Sequence, residues 1–313
     1  MKICLTGASS FTGFWIADTL ARQGHSVVAN LSGGKDTYTG VRAERILQLQ
    51  ERVDCRFGVG FGTPGFIALV QSERPRVLGM HGAEVANYRS IDFDSLEATR
   101  RNTVGVRTLF EMLARDDAWV VATGSVFEPF EGVGDQERRA FNPYGLSKHF
   151  TYELCRMEAQ RVGLRLAKFV IANPFGPLEE PRFTHYLVNE WAAGRVPTVG
   201  TPDYIRDNIH VDLLAQTYAA MIGELNGSDR TVWRPSGYIE SQGQFARRFA
   251  SEMSKRLNRE LVVDLAIQTE FPEPRIRVND MPAVCLFPQW NEAAAWDKMA
   301  AYYSPHLDRA CPG

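Results

Sequence analysis

Tyr144 and Lys148 stand four positions apart in NPYGLSKHF, residues 142–150, directly after an Asn–Pro pair. On a helix such positions share a face, about 6 Å apart along the axis, so the ammonium can sit beside the phenol. A phenol titrates near about 10, too high for efficient proton transfer at neutral pH, and a fixed positive charge lowers that value by favouring the phenolate. The pair has the chemistry of a proton donor and its tuner acting on a carbonyl. The alternative is an ordinary helix start that carries two polar side chains.

A second constellation is TGASSFTGFW, residues 6–15, which follows the first apolar run at once and opens a helical pattern. Gly7 and Gly13 hold its outer positions, and Ser10 stands where a middle glycine is usual. Backbone N–H groups at a helix N-terminus bind a pyrophosphate, and glycine permits the close approach that a Cβ would block. A tight strand–helix turn without a ligand is the alternative. Preference between dinucleotides is read at the end of the second strand, where a carboxylate would hydrogen-bond the adenosine 2′-OH of NAD. This chain has VVANLSGGK there, with Leu31 and Ser32 and no carboxylate, followed by Lys35, Arg42 and Arg45. That favours NADP(H), with NAD(H) the alternative if the basic residues are only a solvated helix face.

The elements that must position these groups alternate along the first half: KICLTG, a helix through FWIADTLARQG, SVVANLS, a helical GVRAERILQLQ, CRFGVG, FIALVQSERP and RVLGMHGA. A long helix over DSLEATRRNTVGVRTLFEMLARDD, a strand AWVVATGS, a helix from about Tyr144 to Val162 and a strand LRLAKFVIANP follow. Strands separated by helices predict an α/β fold, a Rossmann-type doubly wound parallel sheet with its ligand at the carboxyl ends of the strands. After Pro174 the punctuation changes to turn-rich and Pro-rich segments, which predicts a smaller C-terminal α/β substrate lobe. The expected boundaries are 1–174 plus about 207–236 for the dinucleotide-binding domain, and about 175–206 and 237–313 for the lobe. No internal repeat or low-complexity segment appears.

Composition excludes several classes. The 35 Lys+Arg against 37 Asp+Glu leave a net charge of −2, and no basic run is present that could track a nucleic acid or an anionic membrane. No stretch approaches the roughly 20 apolar residues of a membrane span, and the start lacks the apolar run of a signal peptide, so a cytoplasmic protein is expected. Cys4, Cys55, Cys155, Cys285 and Cys311 form no Cys-x-x-Cys, which points to reduced thiols. The 6 histidines show no metal-ligand spacing, so no metal is expected.

With these residues in view, the chain resembles the extended short-chain dehydrogenase/reductase family of nucleotide-sugar epimerases, dehydratases and ketoreductases. TGASSFTG matches that family's TGxxGFxG, HGA (His81 to Ala83) its LAA, NTVGVRTLFE its NxxGTxxLLE and ATGSVFE its SSxxVYG. NPYGLSK matches PYxxSK, NPFGP matches NxYGP and RDNIHVDLLA matches RDxxHVDD. The motifs occur in order from residue 6 to residue 215.

The resemblance implies that Tyr144 is the catalytic acid/base, that Lys148 orients the nicotinamide ribose, and that Thr123 is the third member of the triad, with Ser125 the neighbouring hydroxyl. Implied cofactor contacts are Gly7, Ser10, Phe11, Thr12 and Gly13 at the first turn, and Leu31, Ser32 and Lys35 after the second strand. Val59 would contribute through backbone groups, because the acid usual there is absent. His81, Gly82 and Ala83, then Tyr144, Lys148 and Pro174, complete that set. On the substrate side Asn173 and Arg206 match the diphosphate-gripping positions, with Arg275 and Arg277 further candidates. Tyr88, between Asn87 and Arg89, is a candidate sugar contact with packing as the alternative, and Asn102 matches a structural support. Gly124 and Ser125 stand where dehydratases carry an Asp–Glu pair, which argues against dehydration.

The implied activity is NADPH-dependent reduction of a nucleotide-linked 4-keto-6-deoxyhexose. Alternatives are an NAD-dependent nucleotide-sugar epimerase and, in another class, a non-enzymatic NADP-binding regulator. The partner is then a nucleotide sugar, and the helices around residues 95–115 and 144–162 are those through which the family forms homodimers.

Overall fold

The computed structural model describes residues 1–227 and 229–308. The first half runs β1 (Lys2–Thr6), α1 (Phe11–Arg22), β2 (Ser26–Leu31), α2 (Gly40–Leu49), β3 (Asp54–Phe57), α3 (Pro64–Glu73) and β4 (Val77–Met80). It continues through α4 (Ser95–Thr103), α5 (Val106–Arg115), β5 (Trp119–Ser125), β6 (Val133–Gly134), α6 (Pro143–Val162) and β7 (Arg165–Ile171). The second half begins with β8 (Asn173–Phe175), α7 (Phe183–Ala192), β9 (Thr198–Val199), β10 (Ile205–His210), α8 (Val211–Glu224), β11 (Val232–Trp233), β12 (Pro235–Ser236) and β13 (Tyr238–Ser241). It closes with α9 (Gln242–Leu257), β14 (Asp264–Leu265), β15 (Ile276–Val278), β16 (Met281–Pro282), α10 (Ala283–Leu286) and α11 (Glu292–Asp308).

Seven strands form one parallel sheet in the order β11-β7-β5-β4-β1-β2-β3. The order turns back between β1 and β4, the switch point at which an open α/β sheet offers a crevice. Short apolar runs such as VLGM in β4 are buried throughout, as a sheet covered on both faces requires. On one face Phe66 and Val70 of α3, Leu109, Phe110 and Leu113 of α5 and Cys155 and Ala159 of α6 pack into a single cluster with Cys4, Leu78 and Val120 of the strands.

The long helix expected over residues 94–117 is two helices. Gly105 takes φ +68, and a Cβ there would lie 2.5 Å from the Gly62 carbonyl oxygen, so the chain breaks its helix where it touches that loop. Asp94 caps α4 by accepting the N–H groups of Leu96 and Glu97. α6 starts where Asn142 accepts the N–H of Gly145 and Pro143 occupies the first turn, and it ends at Gly163 in the left-handed region.

The chain divides into two compact units, Met1–Glu131 with Arg138–Ile171 and Ala215–Arg234, and Gly132–Glu137 with Ala172–Leu214 and Pro235 onward. The division corrects the expected boundaries. Residues 207–214 lie in the second unit because β10 pairs with β8, β13 and β15 there, and residues 132–137 join it because β6 pairs with β15. That unit has its own core, built on Phe175, Leu187, Val188, Phe245, Phe249, Trp296, Met299 and Tyr303.

Cys4, Cys55, Cys155 and Cys285 are free thiols, while Cys311 lies outside the described residues. Burial pushes the thiols of Cys4 and Cys155 up to about 12, which makes them packing groups rather than nucleophiles. No helix among the described residues is long and apolar enough to cross a membrane.

Candidate active site

At the end of β1 the chain turns into α1 around two glycines that admit no side chain. Gly7 has φ +72, and a Cβ on it would lie 2.7 Å from Cα of Gly82; one on Gly13 would lie 2.2 Å from the Gly7 carbonyl oxygen. The loop after β4 is thus pressed against the first turn, and the N-terminus of α1 opens at the switch point. The residues present fit a dinucleotide pyrophosphate, held by the N–H groups of that turn. Ser10 has a different task from the one expected. Its hydroxyl donates to the Gly7 carbonyl at 2.8 Å and accepts the N–H of Gly13 at 3.2 Å, so it builds the turn instead of facing a ligand.

After β2, Leu31 is buried while Ser32 and Lys35 are exposed. The turn is tied back by Tyr38, whose hydroxyl accepts the N–H of Gly33 at 2.9 Å. Arg45, read from the sequence as one of a basic group, is fully buried: it lies over the Phe11 ring and donates to the Ser9 carbonyl at 3.0 Å. It places a guanidinium against the glycine-rich turn. The backbone of Val59 is largely engaged within the protein. Its N–H donates to the Leu31 carbonyl at 3.1 Å and its own carbonyl accepts the Asn30 side chain, so its backbone keeps only one carbonyl lone pair for a ligand.

The catalytic candidates meet at the end of β5 and the start of α6. Thr123 and Ser125 alternate with Gly124 and so share one face of the strand. A Cβ on Gly145 would lie 2.1 Å from the Phe127 carbonyl oxygen, so the first turn of α6, carrying Tyr144, seats directly on the segment after β5. The Tyr144 ring is held by edge contacts with Tyr88 at 5.3 Å and Phe93 at 6.0 Å between centroids. The Tyr88 carbonyl accepts the Asn142 side chain at 3.3 Å, so Tyr88 packs whatever else it does.

Lys148 is buried one turn on, with no carboxylate within ion-pair distance among the described residues. Burial holds its ammonium below the ordinary lysine value, with the charge of Glu128 acting in the opposite direction. Beside it lies a cavity of about 20 Å³, room for one water, lined among others by Thr6, Ala83, Asn102, Thr123, Thr151 and Tyr152. Asn102 accepts the N–H of Glu84 at 2.8 Å and donates to the Thr151 hydroxyl at 3.3 Å, which supports the loop after β4 and the middle of α6 together.

Behind β5 stands a buried ionic cluster that the motifs do not contain. Lys168 of β7 donates to Glu128 at 2.6 Å and to Glu131 at 2.8 Å, and lies 4.2 Å from the centroid of the Tyr152 ring. Glu131 also accepts Arg234 at 2.7 Å. The other oxygen of Glu128 accepts the N–H of Ser125 at 2.7 Å, which fixes the strand end that carries the candidate hydroxyls. The one sequence signal for this cluster was a lysine inside the apolar run LRLAKFVI.

Asn173, Pro174, Arg206 and Arg275 belong to the second unit. Asn173 and Pro174 lie in β8 opposite Asn208 and Ile209, and the Asn173 side chain donates to the Asp207 carbonyl at 3.3 Å. Arg206 does not match its expected role. Its guanidinium donates to the carbonyls of Ile205, Pro274 and Arg275 at 3.0–3.2 Å and to Glu273 at 2.9 Å, over the Tyr204 ring. Charge reversal there would release the 273–275 segment, so it cannot serve as a fold-neutral probe of diphosphate binding. Arg275 is exposed and rests on Phe271, and Arg277 is buried.

A model of the NAD dependent epimerase/dehydratase family matches residues 3–233. Among solved structures, UDP-glucose 4-epimerase from Thermotoga maritima with UDP-glucose has 15% identity and a TM-score of 0.74, over 98% of this chain and 100% of that one. A mutant UDP-glucuronic acid 4-epimerase from Bacillus cereus, in complex with UDP-4-deoxy-4-fluoro-glucuronic acid and NAD, has 17% identity and a TM-score of 0.73, over 99% and 100% of the two chains. UDP-glucose 4-epimerase from Stenotrophomonas maltophila, with bound NAD and formylated UDP-arabinopyranose, has 19% identity and a TM-score of 0.73, over 99% and 100%. At these identities the likeness is one of fold. No curated protein matches the sequence.

Proposed function

Because this chain belongs to the NAD dependent epimerase/dehydratase family, we propose that it is an NAD(P)-dependent oxidoreductase of a nucleotide-linked sugar, and specifically that it reduces an NDP-4-keto-6-deoxyhexose with NADPH. The observation that carries this reading is Lys148, a buried ammonium with no carboxylate partner among the described residues, one helical turn from the Tyr144 phenol. A bound nicotinamide supplies the hydride that goes to the carbonyl carbon. Tyr144 gives its proton to the carbonyl oxygen, and Lys148 stabilises the phenolate that remains. Thr123 and Ser125 hold that oxygen by hydrogen bonds, and Gly124 and Ser125 leave no acid pair for dehydration. Asn173 and the exposed Arg275 are the substrate-side candidates that remain; Arg206 supports the segment that carries Arg275.

NADPH is supported by the end of β2, which closes on Leu31 without a carboxylate and is followed by the exposed Ser32 and Lys35. A second reading, an epimerase that retains NAD, is favoured by the solved relatives, which are 4-epimerases with NAD in two of the three cases above. The two are separated by denaturing the purified protein, identifying any released nucleotide by mass spectrometry and titrating the stripped protein with NADPH and NADH. An empty or NADP-loaded site preferring NADPH is the expected result; tightly held NAD would replace the reductase by the epimerase.

The proposal extends to a cytoplasmic homodimer. Phe150, Leu154 and Met157, at i, i+4 and i+7 on α6, are 38%, 48% and 56% exposed, and Leu96 of α4 is 75% exposed. Covering that stripe with a second copy predicts a dimer in sedimentation at micromolar concentration; a monomer there would remove it.

A further inference from the structure

His81 follows β4 and is buried, yet both of its ring nitrogens are engaged. Nδ1 lies 3.1 Å from Oγ1 of Thr123 and Nε2 lies 3.0 Å from Oγ1 of Thr12. Its backbone is pinned as well: the N–H groups of His81 and Gly82 donate to the Thr6 hydroxyl at 3.0 and 2.8 Å, and that hydroxyl donates to the Gly79 carbonyl at 3.3 Å. With one proton and two lone pairs, Thr6 is saturated. The imidazole is therefore a fixed bridge between the first turn of α1 and the end of β5.

Burial, reinforced by the Lys148 ammonium, pushes His81 down to about 3, so near neutral pH the ring carries one N–H and one lone pair. Two arrangements satisfy the bridge. In one, Nδ1–H donates to Thr123 and Nε2 accepts the Thr12 proton; in the other, both bonds reverse. Among the described residues the Thr12 hydroxyl has no hydrogen bond other than that to His81, so the first arrangement is the one that gives its proton an acceptor within the protein. The second would also aim the Thr123 proton at the ring and away from a substrate.

We propose that His81 is a positioning residue, protonated on Nδ1, which donates to Thr123 and thereby leaves the Thr123 proton for the substrate oxygen. The inference rests on the reading of Thr123 as the substrate-facing hydroxyl. It also ties that hydroxyl to the helix turn where the dinucleotide pyrophosphate would bind, through Thr12.

The tautomer can be read without substrate or cofactor, from long-range proton–nitrogen correlation spectra of protein labelled with 15N-histidine, with the His81→Leu spectrum identifying the His81 signals. The Nδ1–H form is expected, with Thr12→Val shifting the population toward Nε2–H; an Nε2–H ring in the unmodified protein would overturn the proposal. The kinetic arm follows NADPH oxidation with dTDP-4-keto-6-deoxyglucose. His81→Leu should lower kcat about 10- to 100-fold while KM for NADPH stays within about twofold. His81→Asn, whose amide N–H reaches the Nδ1 position, should retain most of that turnover where His81→Gln does not. In a Thr123→Ala background, His81→Leu should cost less than about a further twofold. Full multiplicative losses in the double variant overturn the inference but spare Thr123, whereas a Thr123→Ala variant of undiminished kcat overturns both. If dTDP-4-keto-6-deoxyglucose is not turned over, the proposed substrate falls and the tautomer still decides the role of His81.

Discussion

Tyr144→Phe is expected to lower kcat by a factor of about 10²–10⁴ while NADPH affinity and thermal stability stay unchanged. The substitution removes one hydroxyl and keeps the ring, so the edge contacts with Tyr88 and Phe93 that hold the side chain in place survive. What is lost is the proton that neutralises the alkoxide as the carbonyl is reduced, and no second phenol on that face of α6 can replace it. Tyr152 is two turns on, and burial raises its phenol above the ordinary tyrosine value. The measurement is a fluorescence titration with NADPH alongside turnover of a 4-keto sugar nucleotide. Unchanged turnover would remove Tyr144 from the chemistry, and a parallel loss of NADPH affinity would make it a cofactor contact instead.

Lys168→Met should destabilise the protein by about 3–5 kcal/mol, the scale on which a buried ion cluster fails when one partner is removed. The ammonium is 3% exposed and is the shared partner of Glu128, which is fully buried, and of Glu131. Methionine fills much the same volume but removes the ammonium that Glu128 and Glu131 share, while Glu131 keeps Arg234. The measurement is the shift of the urea midpoint against the parent. A second substitution, Glu128→Gln, should recover part of the loss. By contrast, breaking the exposed pair Arg100–Glu97 should leave the urea midpoint almost unchanged. A Lys168→Met variant as stable as the parent would show that the cluster is solvated. Because Glu128 also holds the N–H of Ser125, the same variant should lower turnover more than its stability at the assay temperature explains.

Much of the site was legible because its chemistry is local. The i, i+4 spacing of Tyr144 and Lys148 survives into α6 since helical geometry decides it, and the Gly7 and Gly13 turn lies between a strand and a helix only a few residues apart. The alternation of apolar runs with helical patterns predicted a parallel sheet, which the seven-stranded arrangement shows. Failures cluster where the partner is distant. The local pattern runs a continuous helix through Gly105 because nothing nearby says that Gly62 will press against it. The motif marks Arg206 as a diphosphate-gripping position because its partners, Glu273 to Arg275, lie almost seventy positions away.

The sequence by itself determined the fold class, the family and the i, i+4 spacing of Tyr144 and Lys148, since each depends on periodicity or short motifs that are the same in the extended chain and the folded one. Only the tertiary structure decided which polar groups are satisfied and which remain to act. Lys168 meets Glu128, and His81 meets both Thr12 and Thr123, because the strand order sets β7 beside β5 and β4 between β1 and β5. Hydrogen bonds form over about 3 Å and buried charges pair over little more. A contact of that range between residues far apart in the chain is written nowhere in the local pattern; it exists only once the sheet has chosen its neighbours.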